Sequence, residues 1–398
     1  MKQNFIMKKT LTTAFSLLLG FSVFSQEKTE DKGKLTFSGY VDSYYMANFN
    51  SPQDRTNLGA SGSARAFDQK AGQFSLGLIQ TKMTYSTSKI DIVGDLTFGP
   101  NADLGNYGNV VGRVAGFTGT ALAIKQAYIG WKATDKLTLT MGQFGTHIGY
   151  EVIDAPVNYH YSLSNLFNNG PFYHVGLKAQ YNFSDKVYLM AGIVNNVDNL
   201  DDNNRAKGLI AQLFVSPVTG WNVYLNAIAS NEANADATGK TPDASYSLFD
   251  LTTTYQITPK FMVGLNAATG SQSGDYQTLI TNPKFAKTSG TWGGVAFYTN
   301  YAVSDVFSIG ARYENFANKD GVRGLRITDL NADGSLKSIT GVTVNSLTVT
   351  TTFTVADGHL LIKPEFRSDA FDKEFFTDGD GKAQKSQATL GLAVIAKF

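Results

Sequence analysis

The sequence predicts an all-β protein, a transmembrane antiparallel β-barrel of about 16 strands whose third long extracellular loop folds inward. Three observations predict it. The amino terminus has the pattern of an exported chain, apolar residues recur at every second position through sixteen segments, and the connections between those segments alternate between short and long.

The amino terminus, "MKQNFIMKKTLTTAFSLLLGFSVFSQE", sets Lys2, Lys8 and Lys9 before an uncharged apolar run from Leu11 to Phe24, with small Ser25 ahead of Gln26. That run is too short to cross a bilayer and polar sequence follows it at once. Residues 1–25 therefore read as a secretory signal peptide, and 26–398 as a single mature domain. The chain contains no cysteine, which excludes both a diacylated lipoprotein and disulfide staples. Of 34 Lys and Arg, 31 remain once Lys2, Lys8 and Lys9 are removed, against 33 Asp and Glu, so nucleic-acid binding has no basic footprint. With 39 glycines, 9 prolines, 27 phenylalanines and 19 tyrosines, the composition favours strands and tight turns.

Period-two alternation marks segments at 34–49, 72–86, 89–99, 121–132, 136–146, 171–183, 186–197, 206–216, 220–231, 244–257, 260–271, 291–302, 306–317, 341–355, 358–370 and 387–398. Most are longer than the five or six residues usual in soluble sheets and suit tilted membrane strands. Their connections alternate. "STSK", "ATDK", "FSDK", "SPVTG", "ITPK", "VSDV" and "ADGH" are short, and the eight between them are long and polar. An even number of strands with short turns at one rim and long loops at the other is the plan of an outer-membrane barrel, whereas a soluble sandwich has no reason to keep that order.

Individual strands separate two faces. Phe307, Ile309, Ala311 and Tyr313 alternate with Ser308, Gly310, Arg312 and Glu314; Leu360, Ile362 and Phe366 alternate with Lys363, Glu365 and Arg367. Charge confined to one face requires a watery lumen when the other face meets lipid. The inward charges are expected to be Asp42, Asp91, Asp95, Lys178, Asp250, Arg312, Glu314, Lys363, Glu365 and Arg367. Their signs nearly balance, which argues for weak selectivity and against an anion channel with a basic ladder. Segments 72–86 and 121–132 fit neither phase. The last strand alternates Leu390, Leu392, Val394, Ala396 and Phe398, and the chain ends on that Phe398, which resembles an outer-membrane assembly signal.

The third long connection, Thr146 to His174, holds six Tyr or Phe and three of the four histidines. Its apolar residues need a surface to pack on, so it is expected to fold into the lumen as a constriction formed by His147, Tyr150, Glu151, Asp154, Tyr159, His160, Tyr161 and Phe167. Glu151 and Asp154 would add a mild cation bias. The spacings of 13 and 14 among His147, His160 and His174 do not match metal-ligand patterns, so no metal and no cofactor is expected. Ser162 or Ser164 near His160 is a weak signal for an acyl hydrolase, and no catalytic residue is assigned. "DNLDDNN" and "DGDG" lack the spacing and distal Glu of a calcium loop.

"GYVDSYYMANF" at 39–49, the words from 142 to 181 and the terminal Phe resemble the OmpL-like family of β-barrel porins from Bacteroidetes-type bacteria. The resemblance spans essentially the whole mature chain and implies a single outer-membrane barrel with a pore function, in a Gram-negative bacterium. Partners then expected are outer-membrane lipid and lipopolysaccharide, the barrel assembly machinery and small polar solutes, with a homotrimer as an open assembly. Two alternatives to a general diffusion pore stand. One is a specific channel in which Tyr150, Tyr159, Tyr161, Phe167 and Phe172 stack sugars or aromatic solutes. The other is a plugged barrel whose loops, such as 317–341, bind partners.

Overall fold

The computed structural model describes residues 31–60, 62–105, 123–233, 238–241, 244–273, 289–334 and 336–398; the predicted signal peptide, 1–25, lies outside the described residues. Among the described residues of Lys34–Phe398, sixteen antiparallel strands form the barrel. In chain order they are β1 (Lys34–Asn48), β2 (Phe74–Ser86), β3 (Ile90–Phe98), β4 (Ile124–Lys132), β5 (Leu137–Gly145), β6 (Tyr173–Ser184), β7 (Val187–Val194) and β8 (Gly208–Val215). The second half comprises β9 (Trp221–Asn231), β10 (Ser245–Thr258), β11 (Phe261–Gln272), β12 (Gly290–Ser304), β13 (Phe307–Asn318), β14 (Leu336–Val355), β15 (Leu360–Phe371) and β16 (Ser386–Lys397). Each pairs with its neighbours in sequence, and β16 returns to β1 in the register Tyr40↔Lys397 through Asn48↔Thr389. Closure leaves no open edge, which is what lets strands cross a bilayer. Among the described residues no helix is long and apolar enough to cross a membrane.

The short turns share a device. Thr87 Oγ1 accepts the N–H of Lys89 at 3.0 Å, Thr134 that of Lys136 at 3.2 Å, and Thr258 that of Lys260 at 3.3 Å. Ser184 Oγ likewise accepts from Lys186 at 3.2 Å, and Ser304 Oγ from Val306 at 3.4 Å. A hydroxyl two residues before the donor closes the turn locally, so the recurring Ser or Thr in these connections reverses the chain with very few residues.

The two faces separate as the alternation requires. Ile309, Tyr313, Leu347, Leu390 and Leu392 are exposed on the outer wall, while Arg312, Glu314, Thr348, Lys363 and Arg367 are buried inside. The two segments without a clean phase each contain a bulge. In β2 the register with β1 slips between Val41 and Ser43, so Gly77 and Leu78 together oppose Asp42. Phe74 and Leu76 therefore point out before the bulge, and Ile79 and Met83 after it. The Leu78 N–H donates to Asp42 Oδ1 at 2.8 Å, and a Cβ on Gly77 would collide with that carboxylate. The second slip, between Asp95 and Leu96, makes Lys125 an additional residue in β4, turned inward beside Gln126. Bulges re-aim side chains: the slip in β4 turns Lys125 to the lumen, and that in β2 turns Leu78 inward and its N–H onto Asp42.

Some structure exceeds the sequence expectation. β14 starts at Leu336, five residues before the predicted 341, because its upper end pairs with a loop strand, Arg326–Leu330. Short helices at Pro100–Gly105 and Asn165–Asn169 sit in the second and third long connections.

Candidate functional site

Inside a barrel, an irregular loop brings backbone N–H and C=O groups that need partners. The stretch Tyr161–Leu166 finds them in charged side chains. Glu365 Oε2 accepts from Tyr161 N at 2.7 Å and Oε1 from Ser162 N at 3.0 Å. Glu314 accepts from Asn165 N and Leu166 N, each at 2.8 Å, and Glu151 Oε2 accepts from Ser164 N at 2.7 Å. The carbonyls are met by guanidinium groups: Arg312 donates to Ser162 O at 2.8 Å and Arg367 to Leu163 O at 2.7 Å. Glu151 also pairs with Arg312, and Lys363 donates to the carbonyls of Ala155 and Asn158. Charge-assisted bonds of this kind are about twice as strong as neutral ones, so β13, β14 and β15 hold the loop as a clamp.

The clamp changes what the predicted lumen charges do. Arg312, Glu314, Lys363, Glu365 and Arg367 face inward and lie under the loop, at most 2% exposed, bound to its backbone. Asp42 braces the β2 bulge and accepts from the Tyr161 hydroxyl at 2.5 Å. Asp95 lies beside Lys125 at 3.5 Å, and Asp91 pairs with Lys132 at 2.8 Å near the short-turn rim. Two of the ten, Lys178 and Asp250, line a cavity beside the loop.

The eight predicted constriction residues divide in two. His147, Tyr150, Glu151, Asp154 and Phe167 line a cavity of about 520 Å³ between the loop and a wall drawn mainly from β6 to β11, with Lys125 and Gln126 of β4 and Trp292 of β12 at its borders. Tyr159, His160 and Tyr161 do not line it. His160 turns to the wall, with Nδ1 2.7 Å from Thr350 Oγ1, and Tyr161 packs on Tyr44 at 5.5 Å between ring centroids. Both expected sources of a cation bias are ion-paired, Glu151 with Arg312 and Asp154 with Lys125 at 2.5 Å, and Lys125 is shared with Asp95. Tyr150 stacks on Tyr298 of β12 at 4.1 Å and 12°, fixing the loop on the strand next to the clamp, where Tyr298 pairs with Arg312. Burial pushes the His147 imidazole down to about 4 and holds His160 well below the ordinary range, so both rings are neutral at pH 7. His147 and His174 lie 5.8 Å apart between centroids with no carboxylate joining them; among the described residues no three metal-binding side chains converge.

Sequence reasoning missed the first long connection. Within Ala64–Asp68, Arg65 bonds Asp68 at 2.6 Å and Asp369 at 3.0 Å, all three buried, so this loop also folds inward beside the third. Phe67 meets Phe167 edge-on at 5.9 Å, and Asn168 donates to Ser63 O at 2.8 Å. The signal was an Arg and an Asp at i, i+3 set among Ala64, Ala66 and Phe67, an apolar setting that a solvated loop tip does not need. Asp198 was missed as well: it accepts from Phe172 N and Tyr173 N at 2.6 and 3.1 Å and fastens the end of the third loop.

Residues 34–398 match the family described as "Putative beta-barrel porin-2, OmpL-like". No curated protein matches the chain in sequence. Among solved structures, OprB of Pseudomonas putida is similar at 14% identity, covering 92% of this chain and 95% of its own, with a TM-score of 0.56. The outer membrane channel DcaP of Acinetobacter baumannii is similar at 11% identity over 94% and 100%, TM-score 0.55. The in-vitro folded trimer form of OmpT from Vibrio cholerae is similar at 12% identity over 92% and 100%, TM-score 0.53. At these identities the likeness establishes the fold.

Proposed function

The chain belongs to the OmpL-like family of β-barrel porins, and from that premise we propose a specific working arrangement for an outer-membrane channel for small solutes. Solutes pass by passive diffusion through the space between the third loop and β6 to β11, and the loop from His147 to Asp154, with Phe167, is the constriction. The observation that supports this is the cavity of about 520 Å³, bordered by loop residues on one side and strand residues on the other. The clamp supports it as well, since a loop bound through Glu314, Glu365, Arg312 and Arg367 keeps a fixed aperture rather than sweeping the lumen. No step of this function needs bond chemistry.

The export signal at 1–25, a Bacteroidetes-type source and a homotrimeric assembly belong to the same reading. The trimer form of the OmpT relative supports the last of these.

Planar-bilayer recording with liposome swelling tests the arrangement. Removing Glu151 to Asn168 should raise single-channel conductance and admit sugars that the full-length protein excludes, because the wall is held by strand pairing. A closed channel in the intact protein would instead favour the plugged barrel, and unchanged conductance in an assembled deletion variant would place the constriction elsewhere.

A further inference from the structure

Five acidic or basic side chains border the cavity: Lys125, Glu151, Asp154, Lys178 and Asp250. Three are compensated, Lys125 by Asp154 and Glu151 by Arg312. The other two carry charge without an ionic partner among the described residues. Lys178 lies over the Phe144 ring at 4.3 Å, and no carboxylate comes within ion-pair distance of its Nζ. Asp250 is 4% exposed and is met by neutral donors: Gly149 N at 3.0 Å, Asn226 Nδ2 at 2.7 Å and Asn266 Nδ2 at 2.5 Å. A carboxylate has about four lone-pair sites, so three donors leave one open.

The strand register fixes how these charges stand to each other. One row runs Lys178, Gly192, Ile210, Ile228, Leu248, and the adjacent row runs Gln180, Met190, Gln212, Asn226, Asp250. The two charges are therefore four strands and two residues apart on one wall. At ~4.8 Å per strand that is on the order of 20 Å along the backbone. The straight path across a curved wall is shorter, and the Lys178 ammonium is free to swing on its four-carbon stem from its place over Phe144 of β5. A chain of three or four residues spans at most about 10 to 14 Å between its ends, of the same order as the straight path between the two charges, whereas the charges of a single amino acid lie too close together to bridge it.

Building on the pore reading above, we propose that the channel favours dipolar solutes, short peptides of about three or four residues with free ends, whose carboxylate meets Lys178 and whose ammonium meets Asp250. A single solute molecule gives both uncompensated wall charges a counter-charge only when it is of this kind. A simple anion satisfies Lys178 and is repelled by Asp250, and a simple cation does the reverse.

The test is swelling of liposomes that contain the full-length barrel, with glucose as reference. The probes are trialanine with free ends, its N-acetyl, C-amide and doubly capped forms, and doubly capped dialanine as a smaller neutral control. Trialanine should enter several-fold faster than both doubly capped peptides, with the singly capped forms between. The advantage should shrink at 1 M salt, where screening shortens the reach of exposed charge to about 3 Å. Lys178→Met and Asp250→Asn should each bring the ratio of trialanine to doubly capped peptide towards one. A ratio at or below one in the unaltered protein, with glucose entering, overturns the dipolar preference and leaves the pore standing. Liposomes that hold heat-modifiable barrel and exclude glucose overturn the pore reading and this proposal with it.

Discussion

Replacing Glu314 with Gln tests the clamp where it is best defined. The Glu314 carboxylate accepts three bonds from the loop at 2.8 Å: the backbone N–H of Asn165, that of Leu166, and the Asn165 side-chain amide. The two backbone donors open the helix Asn165–Asn169 and have no intrahelical acceptor, so the carboxylate is their partner. A bond to a charged acceptor contributes about 1.5 to 3 kcal/mol, against about 1 for a neutral one. Gln keeps one oxygen but turns an NH₂ towards an N–H, so one bond is lost and the others weaken. The expected loss of docking free energy is about 2 to 4 kcal/mol, or roughly 30- to 900-fold in the opening equilibrium at about 1.36 kcal/mol per decade. Hydrogen exchange of the barrel in detergent reads this directly. Amides within 161–169 should exchange faster by that factor while β12 to β15 keep their protection. Equal exchange of 161–169 in both proteins would refute the clamp, and loss of protection throughout the barrel would show that Glu314 serves the wall instead.

Four further outcomes are expected. Leu225, exposed on the outer face of β9, should not tolerate Lys, at a cost of about 2 to 4 kcal/mol near the midplane, whereas Tyr224→Lys puts its charge into the lumen; urea unfolding in lipid should separate the two, and equal loss would reverse the face assignment. Asp42→Ala removes the acceptor of Leu78 N and of the Tyr161 hydroxyl, so the unfolding midpoint should fall by about 1 to 3 kcal/mol of stability. The His147 pKa lies near 4 in the fold against 6.5 when free, so loop docking should weaken as pH falls from 6.5 and level off below about 4; exchange of 146–150 that is flat between pH 7.5 and 5, or that stays pH-dependent in His147→Gln, counts against it. The barrel should migrate as a compact band in SDS until boiled, and a single unfolded band without heating contradicts the closed architecture.

The strands were legible because a membrane barrel writes its two solvents into alternate residues. Leu347, Val349 and Phe353 face lipid while Thr348 and Thr350 face inward, and a period of two reports that directly. Bulges were not legible, since one added residue in β2 reverses the phase halfway and the averaged pattern then matches neither face. Within the site, alternation told which way Arg312, Glu314, Glu365 and Arg367 point but not what they meet. A side chain aimed at water and one aimed at a folded loop have the same sequence signature, so these charges looked like an ion-steering field. Their partners are backbone groups about 150 to 200 residues away in sequence, a relation that no local pattern encodes.

The bulges and the clamp are one construction. Loop backbone inside the barrel must have its polar groups met, and a regular strand offers inward side chains only at alternate positions. The slip in β4 adds Lys125 to the inner face beside Gln126, and Lys125 bonds Asp154 of the third loop. The slip in β2 turns the Leu78 N–H onto Asp42, whose second oxygen takes the Tyr161 hydroxyl. These contacts hold the loop from β1 and β4, while Glu314, Arg312, Glu365 and Arg367 hold it from β13 to β15. On the proposed path, solute runs between the third loop and a wall that includes β6 to β11, where Lys178 and Asp250 stand, with Lys125 of β4 at its border. Restoring a regular register in β2, by deleting Gly77, should accordingly act on the channel as well as on the wall. Leu78 would lose its bond to Asp42, Tyr161 would lose a fixed acceptor, and the aperture should become noisier in single-channel records. A quiet channel of unchanged conductance after that deletion would separate the bulge from the loop.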